Sequence, residues 1–185
     1  MLDQPLIALG TWKLGKAETA DAVFEALKMG YRALDCACDY GNEVDVGVGI
    51  ARAIAAGVCE RADIFITSKL WCTFHRPEHV RLAVDKTLAD LGLTYIDLYL
   101  IHFPIPLRFV PIETRYPPEW IFDPSAPHPR MEFEKVPLAH TWAAMEELQV
   151  AGLAHRIGVC NFSSSLLRDL MAGAKRMPDV LQVER

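Results

Sequence analysis

The chain has 185 residues, of which 51% are apolar and 23% charged, with a formal net charge of −5 at pH 7. That balance describes a folded globular protein and excludes a collagen-like repeat, a disordered tail and a small disulfide scaffold; without a basic run or an apolar run of about 18 residues, neither nucleic acid nor a membrane-spanning helix is expected. The N-terminal MLDQPLIALG lacks the basic start and apolar core of a secretory signal, so a cytoplasmic location is expected, and the five cysteines are read as reduced thiols because their spacing fits no disulfide framework.

Residues 6–9 (LIAL) are a weak first strand. Residues 18–29 place Ala20, Val23, Phe24 and Leu27 on one helical face. A second strand follows at 33–37 (ALDCA), where Cys36 and Cys38 would share a strand face; no second pair stands at zinc spacing, so no metal is expected. Residues 43–56 read as a helix weakened by Gly47 and Gly49. The third strand is 63–68 (DIFITS). Residues 77–91 form a helix opened by Pro77 and ended by Gly92, with Val80, Val84, Leu88 and Leu91 facing inward. The fourth strand is 95–101 (YIDLYLI). Residues 103–136 show no period and hold eight of the twelve prolines. Their aromatics, Phe103, Phe109, Tyr116, Trp120, Phe122 and Phe133, predict a packed lid rather than a disordered loop. A helix at 138–151 carries Leu138, Trp142, Met145 and Leu148. The fifth strand is 156–159 (RIGV), the next helix 164–172 carries Leu166, Leu167, Leu170 and Met171, and the sixth strand is 180–183 (VLQV).

The strand segments are nearly continuous apolar runs, the pattern of strands buried on both faces. Repeated βαβ units predict a parallel sheet covered by helices, an α/β fold. An open doubly wound sheet and a (β/α)8 barrel both fit that order. The residues after the first strand, Gly10-Thr11-Trp12-Lys13-Leu14-Gly15, are not the G-x-G-x-x-G turn of a dinucleotide-binding sheet, which favours the barrel.

In either architecture reactive groups sit at the carboxyl ends of strands. Those ends offer Asp35 and Tyr40, Lys69, and His102. A tyrosine releases its proton only near pH 10, and a protonated lysine beside it lowers that value. Asp35 would keep Lys69 charged, and a neutral His102 would hydrogen-bond a substrate carbonyl. Together these groups can give a proton to a developing alkoxide. The plainer alternative is an ordinary Asp35–Lys69 ion pair with Tyr40 on a surface loop. His75-Arg76-Pro77-Glu78-His79 matches a zinc-peptidase pattern, but Pro77 is expected to open the helix and leave His75 outside it. Asn161-Phe162-Ser163 is a glycosylation sequon only for a secreted chain.

The segments DCACDYGNE (35–43), ITSKLW (66–71), DLYLIHFP (97–104), GVCNF (158–162) and LQVE (181–184), with GTWK at 10–13, resemble the successive motifs of the aldo-keto reductases. RFVPIETRYPP (108–118) and Phe103 resemble the xylose reductase branch. The resemblance implies one incomplete barrel domain over 1–185 and NADPH- or NADH-dependent reduction of an aldehyde or aldose. Tyr40 would be the proton donor, tuned by Lys69 and Asp35, with His102 orienting the carbonyl. Asn161 and Gln182 would bind the nicotinamide carboxamide, Thr11 and Trp12 would lie near cofactor and substrate, and Trp71 would line the pocket. Cys160 stands where the family usually has serine, and a thiol is the weaker donor, so weaker nicotinamide binding is expected.

A full barrel of about 250 residues would have two further βα units after the sixth strand. In this family those units carry the basic residues that hold the adenosine and its phosphate, so the choice between NADH and NADPH stays open. Six units alone are expected to self-associate through open sheet edges. The alternative to a working enzyme is a barrel fragment without turnover of its own.

Overall fold

The structure is a computed structural model and describes residues 5–184. Six strands pair in parallel in chain order: β1 (Leu9–Gly10), β2 (Ala33–Asp35), β3 (Phe65–Leu70), β4 (Ile96–Ile101), β5 (Ala154–Cys160) and β6 (Leu181–Gln182). Between them run α1 (Lys16–Lys28), α2 (Glu43–Ala55), α3 (Pro77–Leu91), α4 (Leu138–Val150) and α5 (Ser164–Gly173). A doubly wound sheet reverses its strand order at a switch point. Here the order never reverses, so right-handed crossovers send every helix to the same side, and the six strands are a (β/α)8-type barrel left incomplete. Among the described residues β1 and β6 each pair on one side only.

β3 and β4 are buried at all six positions, so the polar Thr67, Ser68 and Lys69 of β3 and Asp97 of β4 lie inside with the apolar residues. α3 matches its sequence signals: Pro77 opens it, Gly92 ends it in a left-handed turn, and Val80, Val84, Leu88 and Leu91 are buried. α2 is a regular helix despite Gly47 and Gly49. A Cβ on Gly47 would sit 2.6 Å from the Leu91 carbonyl oxygen, and one on Gly49 would sit 2.7 Å from the Ala20 carbonyl oxygen. The two glycines therefore let α2 lie directly against α3 and α1, and the tight packing outweighs their low helix propensity.

Three expectations shift. The first strand is Leu9–Gly10, with Leu6 and Ile7 exposed, because its register is set by Leu34 and Asp35 of β2. Cys38 lies outside β2 in a 3₁₀ turn, Cys38–Tyr40, so the C-x-C pair does not share a strand face; all five cysteines are free and buried. On α5 only Leu170 is fully buried, and Leu166 and Met171 are exposed.

The long segment after β4 packs on the barrel. Leu107 pairs with Phe133 in an isolated antiparallel bridge, and Leu107 and Val110 are buried. The Trp71 indole N–H donates to the Glu119 carbonyl oxygen at 3.1 Å, and Tyr116 and Trp120 lie against the core. Phe133 is the exception, with its ring in solvent. His75 precedes α3, as Pro77 implied; it is buried, and its burial lowers the imidazole to about 4. His79 instead stacks on Phe109 at 3.7 Å. Among the described residues no helix is long and apolar enough to cross a membrane, and no group of three or more His, Cys, Asp or Glu is arranged to hold a metal.

Candidate active site

The carboxyl ends of the strands open into a cavity of about 520 Å³. The ends of β2 to β6 deliver side chains to it. β2 contributes Asp35, and the 3₁₀ turn behind it contributes Asp39 and Tyr40; β3 brings Lys69 and Trp71; β4 brings His102 and Phe103; β5 brings Cys160 and Asn161; β6 brings Gln182. Trp12, just past β1, stands at the rim with its ring largely in solvent. Thr11 does not line the cavity. It is buried behind it, and its backbone N–H and hydroxyl both donate to the Asp35 carbonyl oxygen.

Lys69 organises the floor. Its ammonium ion-pairs with the Asp35 carboxylate, donates to the Cys36 carbonyl oxygen at 2.9 Å and reaches the Tyr40 hydroxyl at 3.2 Å. Burial would push this lysine down, but Asp35 and Tyr40 outweigh it and hold the ammonium above its ordinary value. Tyr40 is itself pushed up, first by burial; Lys69 pulls the other way without cancelling it. Lys69 thus lowers Tyr40 in the expected direction, while burial, which the sequence does not show, outweighs it. His102 is driven down to about 3, by burial and then by the Lys69 charge, so its imidazole is neutral near pH 7. Its ring meets Tyr40 edge-on at 5.9 Å.

The opposite wall is built of amides and a thiol. Gln182 donates its side-chain N–H to the second Asp35 oxygen at 2.6 Å. Asn161, in a left-handed backbone conformation, donates to the His102 carbonyl oxygen at 2.9 Å and lies 3.2 Å from the Cys160 sulfur. The Cys160 thiol points at the Gln182 amide oxygen, 3.6 Å away, and burial raises it to about 11. The short β6 is held where Gln182 can do this. The Asp179 carboxylate accepts from the Ile157 N–H at 3.1 Å, and Glu146 accepts from the backbone of Lys175 and Arg176 at 2.7 Å each.

An aromatic wall closes the remaining side. Trp71 packs against Trp120 at 4.6 Å, His102 at 5.2 Å and Phe103 at 5.9 Å. Asp39, Phe103 and Trp120 were not expected at the cavity. Trp120 arrives from the long loop, whose aromatic content marked it as packed without saying where. Asp39 sits beside Tyr40 in the sequence; burial, with Glu119 nearby, raises its carboxyl to about 6.

Fold and cavity together define a β/α barrel protein with a lysine-centred polar floor and an amide wall at its carboxyl-terminal mouth. The chain belongs to the aldo/keto reductase family, whose sequence model matches residues 6–185. It is 51% identical to the probable NAD(P)H-dependent D-xylose reductase xyl1 of Arthroderma otae, over 97% of this chain and 54% of that protein. It is 48% identical to the NADPH-dependent aldose reductase GRE3 of Saccharomyces cerevisiae, over 99% of this chain and 56% of that protein. Among solved structures, the aldose reductase of Schistosoma japonicum superimposes with a TM-score of 0.89 at 41% identity, over 98% of this chain and 57% of that one. The Bombyx mori aldo-keto reductase in complex with NADP gives 0.84 at 34% identity, over 98% of this chain and 55% of that one. The chain thus spans about half the length of the relatives it matches.

Proposed function

We propose that this chain is a single, incomplete barrel domain carrying the reaction site of an NAD(P)H-dependent reductase that converts an aldehyde or aldose carbonyl to the alcohol. The observation that carries this reading is the Lys69 ammonium held between Asp35 and Tyr40, with a neutral His102 facing the same space. The cavity fits a nicotinamide: Asn161, Gln182 and Cys160 offer donors and acceptors complementary to a carboxamide, and Thr11 and Trp12 lie beside the floor. When bound, the nicotinamide supplies the hydride.

The chain's own residues do the rest. His102, uncharged, donates to the carbonyl oxygen and fixes its direction. Tyr40, a phenol that burial pushes above its ordinary range, is protonated at neutral pH and gives up its proton only when negative charge develops on that oxygen. At that moment the adjacent Lys69 stabilises the phenolate left behind, and Asp35 keeps Lys69 charged. Trp71 and the lid residues Phe103 and Trp120 exclude water from the carbonyl. The same reading makes the chain a cytoplasmic protein whose partner is a small carbonyl compound.

The test is NADPH oxidation by the purified chain with a simple aldehyde and with D-xylose, alongside fluorescence titration of NADPH. Aldehyde-dependent oxidation supports the reading. A second reading, a fragment that does not turn over by itself, draws on the chain's span of about half its relatives; NADPH binding without oxidation would favour it. Absence of both would overturn the assignment of the cavity.

A further inference from the structure

The residues that bring Tyr40 and Lys69 together do not touch the cavity. Tyr40 and Lys69 belong to different elements, and the 3.2 Å between their polar atoms depends on how firmly the turn carrying Tyr40 is fixed to the strand carrying Lys69. Three residues after Tyr40, the Glu43 side chain turns inward at the first position of α2. Only 3% of Glu43 is exposed. One of its carboxyl oxygens accepts from the Ser68 hydroxyl at 2.6 Å, and the other accepts from the Thr87 hydroxyl at 3.1 Å. Ser68 is the residue immediately before Lys69 and is 0% exposed, and Thr87 is 0% exposed on α3. The other side of the same turn is tied as well: the buried Asn42 amide donates to the Thr11 carbonyl oxygen at 2.9 Å.

We infer that Glu43 is a positioning residue for the proton donor, clamping the Tyr40 turn to β3 through Ser68 and so setting the distance from Tyr40 to Lys69. A buried carboxyl is expensive unless its oxygens are hydrogen-bonded, and here each oxygen accepts from a hydroxyl. The cost is matched to a specific geometric result. A hydrophobic pair at the same place would fill the space between α2, β3 and α3 but would not fix the turn along the strand direction, because burial is not directional, whereas a hydrogen bond weakens steeply away from its preferred geometry. This inference rests on the proposed role of Tyr40 only for its meaning. The clamp itself is testable without turnover.

The experiment uses the chain labelled with carbon-13 at the tyrosine ζ position. The Tyr40 resonance is assigned by its loss in Tyr40→Phe, then followed with pH in the cofactor-free protein. Ser68→Ala removes the clamp's donor and keeps the Glu43 charge. Glu43→Gln removes the charge and can keep both contacts, because a hydroxyl can turn and accept from the new amide N–H. Thr87→Val removes the hydroxyl that does not lie on β3. If Glu43 positions the turn, Ser68→Ala shifts the Tyr40 resonance and moves its titration midpoint, because the turn drifts relative to the Lys69 ammonium; Glu43→Gln, which keeps the contacts, and Thr87→Val leave both close to wild type. If Glu43 acted only through its charge, Glu43→Gln would lower the midpoint and Ser68→Ala would leave it unmoved. That pattern, or an unchanged Tyr40 signal in folded Ser68→Ala, overturns the proposal. An inactive chain that nonetheless shows the expected shifts would count against the proposed reaction and not against the clamp.

Discussion

Lys69 donates to three oxygens at once, and each meets a different need of a buried ammonium: a counter-charge from Asp35, a fixed direction from the Cys36 carbonyl, and contact with the group it is to influence, Tyr40. If Tyr40 is the proton donor, Tyr40→Phe removes the hydroxyl with little change of shape. Turnover should fall by about 10²-fold or more while NADPH affinity, read by fluorescence, changes little. Lys69→Met should raise the Tyr40 midpoint further, since Lys69 is what pulls it down against burial and against Asp35. A higher midpoint keeps the phenol protonated to higher pH, so the basic limb of the rate profile moves upward; an unmoved limb in an active variant would make Lys69 structural only. At Cys160 the thiol lies 3.6 Å from the Gln182 amide oxygen, a long and weak contact. Cys160→Ser should tighten NADPH binding by about 0.5–1.5 kcal/mol if one neutral hydrogen bond is gained, checked by titration; looser binding would mean that the wall is shaped to sulfur.

At the scale of elements, α2 is where helix propensity and packing disagree. Gly47→Ala would improve propensity by about 1 kcal/mol but would drive a methyl to 2.6 Å from the Leu91 carbonyl oxygen. The expected net effect in denaturant unfolding is a loss of roughly 1–3 kcal/mol; a gain would show that α2 can move off α3. The same helix shows which parts of the fold were legible in the sequence. α3 could be read to the residue because Pro77, Gly92 and four inward apolar residues all agree. β1 could not, because Leu6 and Ile7 are as apolar as Leu9 and only the pairing with β2 separates them. The polar floor was legible too, since Asp35, Lys69 and His102 stand at or beside strand ends whose position follows from the βα order. Trp120 was not, because its place on Trp71 depends on how a long aperiodic segment folds back, and no period encodes that. The Glu43 contacts to Ser68 and Thr87 were hidden for a similar reason: a glutamate at the start of a helix ordinarily favours the helix dipole in solvent, and its inward turn is a tertiary event.

For the whole molecule, the strand order leaves β1 and β6 each paired on one side among the described residues. Leu166 and Met171 on α5, and Met177, Leu181 and Val183 around β6, are exposed. Unpaired edges beside apolar side chains invite pairing with another chain. The 185-residue polypeptide expressed as such is therefore expected to self-associate. Light scattering across a dilution series checks this, and a monomer at high concentration would contradict it. The order of the strands has a temporal side as well. Each strand lies beside the one made just before it, so the sheet can be laid down in the direction of synthesis, one short closure at a time, and closures between neighbours are the cheap ones. The hydrogen bond from Gln182 to Asp35 spans 147 residues and is the exception. It forms only when all the intervening units hold their places, so the polar floor can take shape early, while its link to the amide wall waits for the sixth strand to arrive.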